Sequence, residues 1–379
     1  MDPANFLLEM KVGKNALKPA PLELTEKLQK IEVTQSDEGR SGFQMTFQAS
    51  HGESQSEQDY PLLSESLLDP FNRVIVTVTI NSMPSVLMDG IITHHQLIPG
   101  GEAKEPLLIV TGEDVSIMMD LEEKTVGHPN QDEASIARTI ISGYSDFGLT
   151  PQVQDPPLID RPDPNERTPI QHGTDLGYLL EMAKRYGYVF YVTPGPASEK
   201  NTAYWGPPRK EGEPQAVLSV NLGPATNVES ISFRYDALTP TTVTGRLQDR
   251  RTNEVSSVEI TESKRPKLAE KGMSDQAHVR QVLFRGAGLK IDQAQARAQG
   301  VVDASVDRVA IAEGMLDALT YGDILRPYEL VTLRGARHSY DGLWYVKRVT
   351  HTIQPGGEYK QHFTLTREGV GSTIQKVET

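Results

Sequence analysis

The chain contains no cysteine among its 379 residues, and aromatic residues make up only 6% of it. Without thiols there are no disulfides, no thiolate metal ligands and no cysteine nucleophile. Basic side chains are also outnumbered, since 38 Lys and Arg stand against 51 Asp and Glu, which gives a net charge of −13. Nonspecific nucleic-acid binding needs a cationic face that displaces counterions, so we expect no nucleic-acid partner.

Long apolar runs and a secretory signal are absent as well. No stretch approaches the roughly 20 apolar residues of a membrane span, and residues 1–13 lack a basic region followed by an apolar one. We therefore expect a chain without a membrane span that is made and assembled in the cytoplasm. The 31 Gly and 25 Pro indicate many turns, and the length favours two to four domains.

Residues 321–368 form the clearest β pattern in the sequence. Strand-forming segments at 329–333, 343–353 and 359–367 are separated by turns that contain Asp341-Gly342 and Pro355-Gly356-Gly357-Glu358. In the long central strand, Trp344 and Val346 share one face of a two-residue period. Both are therefore predicted core residues.

A similar pattern occurs around residue 100. Asp89-Gly90 leads to Thr93-His94, then to a second Pro-Gly-Gly-Glu turn and a strand at 107–111, as Asp341-Gly342 leads to Thr350-His351 and its turn. The two copies are not in register, and turn chemistry alone can produce Pro-Gly-Gly, but we favour a duplication. The turn residues are candidate interface landmarks: Pro99, Gly100, Gly101, Glu102, Pro355, Gly356, Gly357 and Glu358.

These patterns predict a mainly β protein with α+β parts, in which two similar antiparallel β-barrels flank a small α+β domain. The predicted limits are 1–112 for the first barrel, 113–227 for the α+β domain, 228–262 and 306–370 for the second barrel, 263–305 for an insert with a short helix, and 371–379 for a tail. In the α+β domain, a helix that begins near Thr174 directs Leu176 and Leu180 toward the core.

Two stretches carry a family resemblance. Residues 171–191 contain Thr174-Asp175, a leucine-rich helix pattern, Gly187 and a following aromatic strand, and residues 322–363 contain Trp344-Tyr345-Val346 before Val349-Thr350-His351. Both resemble the late-control-D and VgrG baseplate-hub family of phage tails and injection systems. The order of β, α+β and interrupted β domains matches too, so the resemblance covers nearly the whole chain.

The resemblance implies a structural protein with no catalytic residues, cofactors or metal. It implies a homotrimer that adapts a threefold spike to a sixfold inner tube, because three subunits with two barrels each present six docking units. The implied partners are further copies of the chain, the inner tube or a tube-initiator protein, and wedge-like baseplate proteins. The chain ends soon after the second barrel, so we expect a separate spike protein, assembly in the bacterial cytoplasm, and a final place in the baseplate of a phage-tail-like particle.

Two other function classes stay open at this point. A hub-associated enzyme that degrades peptidoglycan would use paired carboxylates, and nothing in the sequence fixes the separation of pairs such as Asp317 and Asp323. A receptor-binding β protein would need exposed aromatic residues, whereas Trp205 and Trp344 are the two tryptophans present. The strand histidines, including His351, lack metal-ligand spacing.

A turbidity assay separates the structural protein from the enzyme. We expect purified protein to leave a suspension of bacterial cell wall turbid, because the sequence contains no recognisable catalytic constellation. Lysozyme at equal concentration is the positive control. Clearing that depends on the protein would favour the enzyme.

Overall fold

The structure is a computed structural model, and it describes residues 6–14, 16–49, 60–64, 66–100, 105–165, 167–248, 253–286 and 288–373. Strands make up 45% of it and helices 19%, so the predicted mainly β fold class is confirmed. Four large hydrophobic clusters are present: the first and second lie mainly in the N-terminal and middle parts of the chain, and the third and fourth interleave in the C-terminal half. The domain limits given above stay a prediction.

The first β unit comprises seven strands and two short helices. In chain order these are β1 (Leu7–Gly13), β2 (Lys18–Pro19), α1 (Leu22–Glu26), β3 (Leu28–Ser36), β4 (Gly42–Gln48), α2 (Pro61–Ser64), β5 (Arg73–Ile80), β6 (Met83–Ile98) and β7 (Leu107–Asp114). The two-residue period of β4 buries Phe43, Met45 and Phe47 on one face. Hydrogen bonding orders the strands β3-β4-β7-β6-β5-β1-β2.

The middle unit follows, with one helix on each side of a turn-rich region. Its elements are β8 (Lys124–Gly127), α3 (Glu133–Ser142), β9 (Leu149–Val153), β10 (Ile170–Gly173), α4 (Asp175–Arg185), β11 (Val189–Pro194) and β12 (Asn201–Gly206). The Asp132 carboxylate accepts a hydrogen bond from Ser135 N at 2.9 Å, and the Thr174 hydroxyl accepts one from Gly177 N at 3.1 Å. Both helices therefore begin at side-chain caps of residue types that favour this position.

One predicted core residue of α4 is not in the core. Leu176 is buried at 3% exposure, as expected, but Leu180 is 41% exposed. The buried face also contains Tyr178, Leu179 and Met182, which centres it near Leu179. At about 100° per residue, Leu180 lies beyond the edge of that face, so its prediction as a core residue is wrong.

The C-terminal half alternates between two groups of elements. In chain order they are β13 (Gln215–Ser219), β14 (Val228–Tyr235), β15 (Thr241–Gln248), β16 (Val255–Ile260), β17 (Ala269–Lys271), β18 (Arg280–Leu283), α5 (Ile291–Val306), β19 (Ala310–Asp317), α6 (Ala318–Tyr321), β20 (Leu330–Arg334), β21 (Gly342–Gln354), β22 (Glu358–Arg367) and β23 (Val370–Ser372). We call β13, β14 and β19 to β22 the second β unit, and β15, β16, β18 and α5 the insert.

The insert begins earlier than the sequence pattern suggests. Strand β15 lies in the 228–262 segment predicted as part of the second barrel, but it pairs with β16 and β18 and packs its buried face against α5. Conversely, β13 falls within the predicted α+β range but pairs with β20. Local strand signals specify neither partner, because strand pairing is decided by contacts distant in sequence.

The two β units share one strand order. The first runs β3-β4-β7-β6-β5-β1, and the second runs β14-β19-β22-β21-β20-β13. Taken along the chain, the six strands of each unit occupy matching places. One difference is that β1 pairs antiparallel with β5, whereas β13 pairs parallel with β20. The duplication inferred from the turns is thus supported by topology.

Irregularities in the strands match as well. The β3–β4 register shifts between Leu28 and Lys30, and the β14–β19 register shifts between Val228 and Ser230. The β6–β7 and β21–β22 hairpins shift at Thr93 and at Lys347. Because bulges are local features that fix register, these two pairs align the units residue by residue.

This alignment shows that the structural repeat does not match the similar sequence patterns of the two units residue by residue. Counting from the bulges, Thr93 corresponds to Lys347, so Thr93-His94 and Thr350-His351 are offset by three residues. Asp89 also differs from Asp341, because its buried carboxylate accepts hydrogen bonds from Arg73 and from Asn201 of the middle unit. The similar sequence patterns therefore identify the equivalent hairpins, but they do not pair the structurally equivalent residues.

Removing the Trp344 side chain should destabilise the second β unit. Trp344 is fully buried, its Nε1 donates to the Tyr340 carbonyl at 2.9 Å, and the Arg367 guanidinium lies 4.2 Å from its ring centroid. We expect Trp344→Ala to lower the unfolding free energy by about 3–5 kcal/mol, seen as a lower melting transition in calorimetry. Leu283→Ala, at a side chain 68% exposed, is the control, and wild-type melting of Trp344→Ala would contradict the packing.

Candidate interaction surface

The strands that lead into the two predicted turn landmarks, β6 and β21, run in the same direction. Strands β21, β3, β4, β7 and β6 are consecutive neighbours, and every step between them is antiparallel. Four reversals restore the direction, so β6 and β21 end at the same edge. Four strand spacings of about 4.8 Å put the two ends roughly 19 Å apart along the sheet.

The described landmark residues are accessible to a partner. Pro355, Gly356, Gly357 and Glu358 are exposed, and the turn is closed by Gly357 N, which donates to the Gln354 carbonyl at 3.3 Å. The two glycines have φ of 103° and 153°, which disfavours side chains with a Cβ. In the first unit, Pro99 is exposed and Gly100 is half-buried. Gly101 and Glu102 lie outside the described residues.

A seam between β3 and β21 joins the two units into one sheet. Six consecutive pairs run from Ser36 opposite Arg348 to Ile31 opposite Ile353. On the outer face, the Thr34 and Thr350 hydroxyls are 3.0 Å apart. On the inner face, Val33, Ile31 and Ile353 are fully buried. Backbone pairing and apolar burial therefore fix the relative position of the units.

A buried ion pair closes one end of the seam. The Asp37 carboxylate accepts hydrogen bonds from the Tyr345 hydroxyl at 2.8 Å and from Lys347 Nζ at 2.7 Å. Burial raises the pKa of Asp37, and the positive charge of Lys347 opposes that rise. Removing Lys347 alone would leave a buried carboxylate without its counter-charge.

His351 lies within the seam, opposite Val33, and is fully buried. Its Nδ1 accepts from the Tyr359 hydroxyl at 2.7 Å and lies 3.3 Å from the Gln361 amide nitrogen. That arrangement favours the neutral tautomer with the proton on Nε2. Burial lowers the pKa of His351 from 6.5 to about 3, because a charged imidazolium would lose its hydration.

The acidic residues singled out by sequence are engaged in local structure. Asp317 caps α6 by accepting hydrogen bonds from Leu319 N at 3.0 Å and Thr320 N at 2.9 Å. Asp323 lies 3.3 Å from the Arg326 guanidinium. Among the described residues, no three His, Asp or Glu side chains form a metal-binding cluster, and no helix is long and apolar enough to span a membrane.

Known structures match this architecture over nearly its whole length. A 43 kDa tail protein of prophage MuSo2 from Shewanella oneidensis superposes with a TM-score of 0.64 at 14% identity, covering 95% of this chain and 98% of that one. The chain has the fold of a phage tail protein. A tail protein from Neisseria meningitidis superposes with a TM-score of 0.65 at 11% identity, covering 97% of this chain and 98% of the other. No protein-family model matches the sequence, and no curated protein matches it.

The tail-protein fold extends to secretion components. An Escherichia coli component of the type VI secretion system, described as similar to the T4 tail proteins gp27 and gp5, superposes with a TM-score of 0.56 at 10% identity, over 90% of this chain and 73% of that one. A chain of a Francisella PdpA–VgrG complex superposes with a TM-score of 0.55 at 7% identity, over 100% of this chain and 55% of that one. The predicted resemblance to VgrG-like hubs is confirmed at the level of fold.

Replacing His351 should alter how stability depends on pH. Between pH 6.5 and about 3 the unfolded chain protonates this histidine while the folded chain does not, so its contribution to stability falls as pH falls, by up to about 1.4 kcal/mol per pH unit. We expect denaturant midpoints of His351→Asn to show a shallower decline over that range.

His278→Gln is the matched control, because the His278 side chain is exposed and its replacement removes a histidine without disturbing the core. A decline in His351→Asn as steep as in the wild type would show that His351 is protonated in the folded protein as readily as in the unfolded one.

Proposed function

We propose that this protein is the structural baseplate hub of a contractile tail or injection system. In this role it is a homotrimer that adapts a threefold spike to a sixfold inner tube. The likeness to phage tail proteins and to a type VI secretion component supports a structural role in a tail. The observation that carries the finer proposal is the strand order shared by the two β units of one chain.

The shared order meets the geometric requirement of such an adaptor. A threefold object can template a sixfold ring if each subunit offers two nearly equivalent docking surfaces. Here β6–β7 and β21–β22 are equivalent hairpins whose tips share one rim. Three chains therefore supply six similar hairpins, and closed cyclic assemblies are the common solution for oligomers.

The elements outside the repeat indicate where other partners bind. The middle unit and the insert each occur once per chain and have cores of their own. They reduce the symmetry from sixfold to threefold, which suits a separate spike protein and wedge-like baseplate proteins. The six hairpins are assigned to the inner tube or a tube-initiator protein, within the baseplate of a phage-tail-like particle assembled in the bacterial cytoplasm.

Three copies of the chain should be present in each assembled particle. Each chain contains two repeat units, so three are needed for six docking positions. Imaging of the intact particle, combined with native mass measurement of the excised hub, gives the number directly. One or two copies in the intact particle would overturn the proposed hub.

A further inference from the structure

Each of the two strands that form the in-chain seam has an equivalent elsewhere in the sheet with an open edge. We propose that neighbouring copies of this chain join by strand pairing between β14 of one copy and the distal arm of β6, residues 94–98, of the next. The pairing uses the register that β3 and β21 use within one chain. This inference rests on the proposed homotrimer and specifies its subunit interface.

Strand β14 is the structural equivalent of β3. Each begins its unit's strand order, each pairs with the next strand across a bulge after its first residue, and the bulges align Ile31 with Ile231 and Thr34 with Arg234. In the described residues β3 has strands on both sides, whereas β14 pairs with β19 alone. The edge that β21 covers on β3 is thus open on β14.

The distal arm of β6 is the equivalent of the part of β21 that covers β3. Strand β20 pairs with β21 up to Tyr345, and β3 takes over from Arg348 to Ile353 on the same side. Strand β5 likewise pairs with β6 up to Ile91. The backbone of Ile92 still bonds to residues 71 and 72. Past Ile92, the arm pairs with β7 alone among the described strands.

Side-chain exposure agrees with a missing neighbour on both edges. Gln35 of β3 is 6% exposed, whereas its equivalent on β14, Tyr235, is 39% exposed. Ile98 of the distal arm is 41% exposed, although its equivalent Thr352 is half-buried within the seam. Open strand edges with exposed apolar residues favour association with another strand.

The open edges fit a second copy of this chain better than an unrelated strand. Both sides of the seam already exist within one chain, and the two bulges bring them into the same relative register. Transferring the Thr34–Thr350 pair gives Arg234 opposite Gln96 of the next copy. It also places half-buried Phe233 opposite half-buried Leu97, where Val33 meets His351 within the chain.

Cysteine pairs test this register directly, because the chain has no cysteine of its own. Directly opposed residues of an antiparallel pair have Cα atoms about 4.5–5.5 Å apart, within the range of a disulfide. We would oxidise concentrated purified Arg234→Cys/Gln96→Cys protein and separate it without reductant. Disulfide-linked species up to trimers are expected.

Two matched variants serve as controls. Thr34→Cys/Thr350→Cys tests the in-chain seam and should form an internal disulfide without an increase in mass. Arg234→Cys/Ile98→Cys displaces the pair by two residues on the same face and should link copies much less. Melting of all reduced variants at the wild-type temperature shows that the substitutions leave the fold intact.

The outcomes separate the interface from the hub itself. Linked trimers at Gln96 and few at Ile98 support the seam. A native trimer with the internal control disulfide but no links between chains overturns the seam and leaves the hub proposal standing. Equal linking at both positions overturns the register, and a chain that does not associate at any concentration overturns the seam. The number of copies in the particle tests the hub separately.

Discussion

Backbone pairing between β3 and β21 is the interaction on which the architecture depends. It links residues about 300 positions apart, as the 316-residue separation of Thr34 and Thr350 illustrates, and makes one sheet from two β units. Without it, the two similar hairpins would have no fixed spacing or common rim. The buried Asp37–Lys347 pair lies at one end of this pairing and the neutral His351 lies within it, so these polar groups are sensitive to its integrity.

Local chemistry predicted the elements well. The strands predicted at 343–353 and 359–367 are present as β21 and β22, and the helix predicted near Thr174 is capped by that residue. Burial of Trp344 and Val346 also follows from the two-residue period. These features depend on interactions within a few residues, which a single sequence contains. The prediction that Leu180 is a core residue was wrong, because the buried face of α4 is set by its neighbours in space.

Partnerships between distant strands could not be predicted in the same way. The pattern of β15 indicates a strand, yet its place in the insert depends on β16, β18 and α5. The two units also achieve similar packing with the phenylalanine and the glycine on opposite strands of the pair. Phe43 lies against Gly112, where an added Cβ would come within 2.3 Å of its ring, and Phe363 lies against Gly314, at 2.5 Å. Similar sequences are therefore not required for similar topology. The two Pro-Gly-Gly-Glu turns identified the equivalent hairpins but not their register.

The seam also has a consequence for synthesis on the ribosome. Strand β3 emerges early, but β21 follows it by about 300 residues, which takes roughly 15–60 s at bacterial translation rates. Throughout that interval β3 is an open edge, and the β6 arm of a neighbouring nascent chain is equivalent to its eventual partner. Neighbouring ribosomes on one messenger could thus produce chains joined through the wrong strand. Slow release or chaperone cover of the N-terminal half would reduce such mispairing.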